Sequence, residues 1–342
     1  MTLPKLTLAI TSRLRTVVTY AVLFACISYW SLPASANAPD DDSQPYTISS
    51  NVNLVILPVT VTDREHQFVS GLDAAHFRVY EEGRPQKLSL FEPEDTPVSV
   101  GLVVDRSVSM DGRKSEVLEG AAAFVRASNS QDEEFVVNFS KEVLLGLPPN
   151  VPFTSRVEEL TTALSAVPAS GMTALYDAIA VGLNHLRDAH REKRVLILLT
   201  DGEDNASHYF FDQVLRMART LNVLIYSVGL FDTYQIENAR DSYIAKQFKL
   251  LFDQDRSLLR QLAKDTGGVA YFPTNPNEVV KVCEQIASDI RHQYTLAYTP
   301  QNDDRGGYRK IRVQLIGSGR GKIVVRSRSG YFLPAKPHLI ER

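Results

Sequence analysis

The chain has 342 residues, 44% of them hydrophobic, with 37 basic and 40 acidic side chains and a formal net charge of −3. That balance excludes a disordered chain, which could not bury enough apolar surface to fold, and a strongly basic nucleic-acid binder. Two cysteines, Cys26 and Cys283, exclude a disulfide scaffold and a cysteine-rich zinc site.

Residues 1–36 carry Lys5, Arg13 and Arg15 and no acid, then an apolar stretch from Val17 to Leu32, then Pro33-Ala34-Ser35-Ala36. This is the three-part layout of a secretory signal peptide, with cleavage expected after Ala36. Thr19, Ser28 and Ser31 interrupt the apolar stretch, and a spanning helix needs roughly 20 mostly apolar residues, so an uncleaved anchor is the alternative reading, and no stable membrane span is expected once the signal is cleaved. Losing three basic residues and no acid moves the charge from −3 to −6 and leaves a mildly acidic chain of 306 residues.

A polar, acidic linker follows at 37–45. The N-terminal segment 46–96 shows strand patterns at Val52–Asp63, Phe77–Tyr80 and Lys87–Phe91, with Glu82-Gly83 as the turn between the last two. Short strands of this kind need a packing partner. From Pro97 to Gln293 the texture alternates between apolar strands and amphipathic helices. Strand Val98–Val104 precedes a helix at Lys114–Ser128, and Phe135–Phe139 with Val143–Leu147 reads as a hairpin. Helices follow at Val157–Ala166 and Ala174–Ala189. Val195–Leu199 is a continuous apolar run that suits a parallel strand buried on both faces. Helix Phe211–Leu221, strand Val223–Val228, helix Ser257–Asp265 and strand Val269–Phe272 continue the series. It ends in a helix whose Val279, Val282, Cys283, Ile286 and Ile290 share one face, so Cys283 is expected to be a buried, inert thiol. Leu230–Asp255 is a charged connection with a possible helix at Ala245–Phe252 and no evident place on the sheet.

The segment 294–333 returns to strands, at Tyr294–Tyr298, Arg309–Leu315 and Lys322–Arg326, before a tail at 334–342. Arg320, Lys322, Arg326 and Arg328 read there as exposed positions of an alternating strand. The predicted fold is α/β, with a doubly wound, mainly parallel sheet over 97–293. A β domain built from the N- and C-terminal strands flanks it.

In an open α/β sheet, ligands bind beyond the carboxyl ends of the strands, where loops and helix N-termini converge. Three loops carry oxygen ligands to that end: Asp105-Arg106-Ser107-Val108-Ser109, Ser170-Gly171-Met172-Thr173 and Thr200-Asp201-Gly202. Each alone reads as a turn and helix cap. Together Asp105, Ser107, Ser109, Thr173 and Asp201 make an all-oxygen set with two carboxylates, suited to a hard cation such as Mg²⁺ or Mn²⁺.

The order Asp105-x-Ser107-x-Ser109, Thr173, Asp201-Gly202 resembles the metal-ion-dependent adhesion site (MIDAS) of von Willebrand factor A (VWA) domains. The resemblance implies that Ser107, Ser109 and Thr173 coordinate a divalent cation, Mg²⁺ foremost with Mn²⁺ or Ca²⁺ as alternatives. Asp105 and Asp201 would bind it directly or through water, with a position open to an acidic residue of a protein partner. Val108 stands where that family usually has glycine, and a β-branched residue restricts the loop. Arg106 is also unusual, and is expected to face solvent or screen the site. The flanks, with Val59-Thr60-Val61-Thr62-Asp63, Phe77-Arg78-Val79, Gln293-Tyr294 and Gly330-Tyr331-Phe332, resemble bacterial secreted von Willebrand factor A-related proteins. That resemblance implies a secreted or periplasmic location in a bacterial cell envelope.

An enzyme would need a nucleophile with a base, or a metal with an activated water and a general base. No Gly-x-Ser-x-Gly or His-Glu-x-x-His is present, and the seven histidines are scattered in sequence. Asn138-Phe139-Ser140 and Asn205-Ala206-Ser207 match a glycosylation pattern without bearing on a bacterial protein. The expectation is a non-enzymatic adhesion and protein-protein interaction module, with no nucleic-acid partner and no catalytic residues. A structural or assembly protein with a purely stabilising metal, and a metal-dependent hydrolase, are the alternatives. Oligomeric state is left open.

Overall fold

The computed structural model describes residues 54–165, 171–231, 243–300, 306–317 and 323–333. The expected signal segment, the linker, Ser170, Arg320, Lys322 and the tail lie outside the described residues.

The chain enters through β1 (Val55–Thr62), β2 (Phe77–Glu81), β3 (Arg84–Gln86) and β4 (Leu88–Glu92). The Glu82-Gly83 turn between β2 and β3 has positive φ at both residues, which glycine accommodates at Gly83. The core then runs β5 (Val98–Asp105), α1 (Lys114–Ala127), β6 (Glu133–Phe139), β7 (Val143–Leu145), α2 (Val157–Ser165) and α3 (Leu175–His185). It continues through β8 (Lys193–Thr200), α4 (Phe211–Thr220), β9 (Val223–Gly229), α5 (Tyr243–Thr266), β10 (Ala270–Tyr271) and α6 (Pro276–Arg291). The chain leaves through β11 (Gln293–Tyr298), β12 (Gly307–Leu315), β13 (Val324–Arg326) and β14 (Gly330–Leu333).

The central sheet has the order β10-β9-β8-β5-β6-β7, parallel except for β7, which returns antiparallel on β6. All residues of β5 and β9 are buried, as is the continuous apolar run Val195–Leu199 of β8, which suits parallel strands covered on both faces. Gly101 in β5 is required by close approach: a Cβ there would lie 2.4 Å from Phe135 and 2.5 Å from Leu196. α1 packs against α6 and α2, while α4 packs against α3 and α5. α6 starts at Pro276 behind an Asn275 cap whose side chain accepts from Glu278 N at 3.1 Å. Its Cys283 is buried, and burial, with Glu284 adding to it, pushes the thiol up to about 12. An inert packing residue is the result.

The N- and C-terminal strands pair as their patterns predict. They form two four-stranded sheets, β13-β1-β11-β4 and β14-β12-β2-β3, which share one apolar cluster of Leu57, Val59, Phe77, Val79, Tyr294, Leu296 and Ile311. Two readings need correction. The helices expected at Ala245–Phe252 and Ser257–Asp265 are halves of one 24-residue helix, α5. Asp253 and Gln254, which look like a break, lie on its exposed side, where polar residues cost a helix little. Arg326 and Arg328 are not surface positions: Arg328 is 4% exposed, and Arg326 bonds Asp289 of α6. The flanking strands pack against the core as well as against each other, so alternation does not send alternate residues to water.

Candidate metal site

Asp105 ends β5 at the carboxyl edge of the sheet and is 2% exposed. One carboxylate oxygen accepts from Ser107 N at 2.8 Å and the other from Thr200 Oγ1 at 2.6 Å, across the β5–β8 pair. The carboxylate is thereby held by its own loop and by the end of the neighbouring strand.

Ser107 precedes a 3-10 helix, Val108–Arg113, in the N-cap position, yet its side chain makes no cap hydrogen bond. Its Oγ instead lies 3.0 Å from Ser109 Oγ, so the two hydroxyls share one corner of the loop. Val108 sits between them within the helical turn, outside the left-handed region, so its β-branch imposes no backbone strain. Arg106 does not face solvent. It is 2% exposed and turns under the loop, where Nε donates to Asn138 Oδ1 at 3.3 Å. Burial lowers the pKa of its guanidinium, and the charge of Asp105 works against that lowering.

Thr173 is 1% exposed and is not a helix cap: the N-cap of α3 is Ala174, without a side-chain bond. Thr173 is clamped through its backbone. Its N donates to Asn205 Oδ1 at 2.8 Å, and its carbonyl accepts from Asn205 N and Ala206 N, each at 3.0 Å. Ala174 N donates to Ser140 O at 2.8 Å, tying the same loop to the end of β6. The third loop turns at Gly202, whose φ of +86° suits glycine; a Cβ there would meet Leu259 at 3.1 Å and Asp255 at 3.2 Å. Asp201 Oδ1 accepts from Glu203 N at 3.1 Å, and Thr200 Oγ1 accepts from Gly202 N at 3.0 Å.

Burial, reinforced by the charge of Asp201, pushes the Asp105 carboxyl up to about 7, although bonds from Ser107 and Thr200 pull the other way. Asp255 of α5 is likewise raised to about 7 by burial and by Asp201 and Glu203. Two carboxyls at this end of the sheet are therefore held above their ordinary range by burial and neighbouring acids, while the buried Arg106 guanidinium interacts with Asp105 from the same loop. No three His, Cys, Asp or Glu side chains come together as a metal-binding group among the described residues. The predicted donors are instead two carboxylates and three hydroxyls, a chemistry that fits a hard divalent cation that prefers oxygen.

All five sequence-predicted residues lie at the carboxyl end of the sheet, Asp105 as the last residue of β5 and Ser109 in the 3-10 turn after it, and bonds link Asp105 to Ser107 and Ser107 to Ser109. Thr173 is joined to the Asp201 loop through Asn205. Sequence reasoning missed Thr200 and Asn205. A hydroxyl next to Asp201 at a strand end was a usable signal for Thr200. Asn205 stood out only within a glycosylation pattern, and its role depends on two loops meeting in space. Among the described histidines, His185 packs at a tilt against Phe135 with ring centroids 4.3 Å apart, and His208 pairs with Asp177 at 2.9 Å.

Residues 100–203 match the family model described as von Willebrand factor type A domain. An uncharacterized protein of Borreliella burgdorferi is 30% identical over 183 residues, covering 50% of this chain and 52% of that protein. Inter-alpha-trypsin inhibitor heavy chain H3 of Bos taurus is 34% identical over 128 residues, 34% of this chain and 14% of that protein. The chain thus spans about half the length of one curated relative and a small part of the other. Among solved structures, von Willebrand factor type A from Catenulispora acidiphila aligns at 12% identity with a TM-score of 0.48, covering 84% of this chain and 76% of that one.

Proposed function

This chain carries a von Willebrand factor type A domain, and from that premise we propose that it is an exported, non-enzymatic binding module. It would engage a protein partner through a divalent cation at Asp105, Ser107, Ser109, Thr173 and Asp201. When bound, the cation supplies a positive charge with an exchangeable position for a partner's carboxylate. The chain's own residues do the rest. Thr200 and Ser107 N orient Asp105, Asn205 fixes Thr173, and Ser107 and Ser109 present hydroxyls that no helix cap consumes.

The observation that carries the reading is the Asp105 carboxylate, buried beside Asp201 without a cationic side chain bonded to it among the described residues. Export rests on the layout of residues 1–36; among the described residues no helix is long and apolar enough to cross a membrane. The test is thermal unfolding of residues 37–342 in EDTA, Mg²⁺, Mn²⁺ or Ca²⁺, beside Asp105→Ala. A ligand at a hundredfold excess over Kd stabilises the folded state by about 2.7 kcal/mol. A metal-dependent upward shift that the variant lacks is expected; equal shifts in both proteins, or none in either, would remove the reading.

A further inference from the structure

Two of the three loops place large apolar side chains in water at the mouth of the site. Val108 is 63% exposed and Met172 is 47% exposed. Val108 N donates to Gly171 O at 3.5 Å, so the two residues stand on adjoining backbone. Exposed Lys141, in the β6–β7 turn, borders the same stretch: its Cβ lies 3.5 Å from where a Gly171 side chain would begin. Grouped apolar side chains left exposed around a binding position mark a contact surface, because covering them releases free energy on association.

The opposite flank has a different character. The sheet order β9-β8-β5-β6 puts the loop after β8 on the other side of Asp105 from Lys141. That loop carries exposed Glu203, and the Cβ of Asp255 in α5 lies 3.2 Å from where a Gly202 side chain would begin. Among the described residues Glu203 accepts from the neutral Asn205 side chain at 3.1 Å, a bond that does not compensate its charge. The mouth therefore carries exposed apolar side chains with a lysine at their border on one side, and the acidic side chains Glu203 and Asp255 on the other.

We propose that this asymmetry selects the partner. It is a protein segment with a carboxylate for the metal position, a bulky apolar side chain against Val108 and Met172, and a cationic side chain against Glu203 and Asp255. The inference rests on the metal-dependent reading above and adds to it the character of the residues that flank the carboxylate. Apolar cover supplies affinity, while the anionic flank rejects a segment that is acidic throughout.

Fluorescence anisotropy with labelled nine-residue peptides in a Gly-Ser background tests it on residues 37–342 in saturating Mn²⁺. One peptide has Leu, Glu and Lys at its centre in that order and a second has them reversed. Three more replace Leu by Ser, Lys by Ser or Glu by Gln. One of the two complete orders is expected to bind about tenfold more tightly than its Ser-substituted forms. Val108→Ser combined with Met172→Ser should erase the preference for Leu, and Glu203→Gln the preference for Lys, each at Mn²⁺ saturating for that variant. Equal binding of all Glu-containing peptides, lost in EDTA, would overturn the flank selection and leave the metal reading standing. Binding that survives EDTA or Glu-to-Gln replacement would overturn the metal reading. Absence of binding by every peptide would overturn both.

Discussion

Two buried carboxylates, about which the chain is organised, are treated in opposite ways. Asp289 of α6 lies at the junction of the core and the flanking sheets. It accepts from Thr60 Oγ1 at 3.0 Å, from Tyr226 OH at 2.7 Å and from the Arg326 guanidinium. Arg326 also reaches Gly267 O and Thr60, and Gln293 donates to Tyr226 OH, so the cluster joins β1, β9, β13, α6 and β11. Asp105 at the sheet's carboxyl edge has hydroxyl and amide donors, but its strongest charged neighbour is another carboxylate, Asp201. The contrast separates a charge paired inside the fold, which fastens elements together, from one that no cationic side chain bonds among the described residues.

The largest expected effect comes from removing the satisfied charge. Asp289→Ala leaves the Arg326 guanidinium without its carboxylate, and breaking such a pair costs about 3–5 kcal/mol. Urea unfolding should show that loss equally in EDTA and in Mg²⁺; a metal-dependent loss would erase the distinction. Asp105→Asn should behave oppositely. It keeps an oxygen to accept from Ser107 N, forfeits the metal-dependent stabilisation of about 2.7 kcal/mol, and stabilises the protein in EDTA above pH 7. The sign follows from a folded carboxyl pushed up to about 7 from its ordinary 3.8: ionising it costs stability as pH rises through that interval.

The difference between the clusters bears on how much the sequence reveals. The α/β core is legible because parallel strands buried on both faces, such as β8, leave continuous apolar runs, and because α6 repeats its apolar residues at helical spacing. The five oxygen-bearing residues are legible because each occupies a loop that opens the next element. The Asp289 cluster is not legible, since Thr60, Tyr226 and Arg326 are far apart in sequence and each looks ordinary on its own strand. Arg106 misleads for a related reason: an arginine beside a surface loop is expected in water, and only the position of Asn138 on β6 supplies a buried partner. The unbroken α5 was hidden by local charge, because composition does not show which side of a helix faces solvent.

A third buried carboxylate sharpens the rule. Glu134 of β6 is 2% exposed, and burial, aided by Asp132, pushes it up to about 8 despite a bond from Ser128. The folded state retains this proton up to about pH 8, whereas the unfolded chain releases it near its ordinary 4.5. The native state therefore binds more protons across that window, and stability falls as pH rises through it. With relaxation absorbing part of the penalty, about 2 kcal/mol should be lost between pH 5 and pH 9. Glu134→Gln should flatten that part of the chemical-denaturation profile without changing the response to Mg²⁺. An unchanged profile would mean that Glu134 is already neutralised in another way.

The smallest effect tests whether the uncompensated site depends on how its ligands are held. Among the described residues the Asn205 side chain meets the proposed metal ligands at Thr173, whose N donates to its Oδ1. Asn205→Ala removes one hydrogen bond worth about 1 kcal/mol and frees the Thr173 loop. Calorimetric titration with Mn²⁺ should show a severalfold weaker Kd. Asn205→Asp keeps an acceptor for Thr173 N and adds negative charge beside the site, so it should restore metal affinity. A clamp that matters only for general stability would lower the melting temperature of Asn205→Ala while leaving its Kd at the parent value. Parallel loss in both variants would instead assign the effect to the lost donor on Glu203, since Asn205 Nδ2 is the group that aspartate cannot replace.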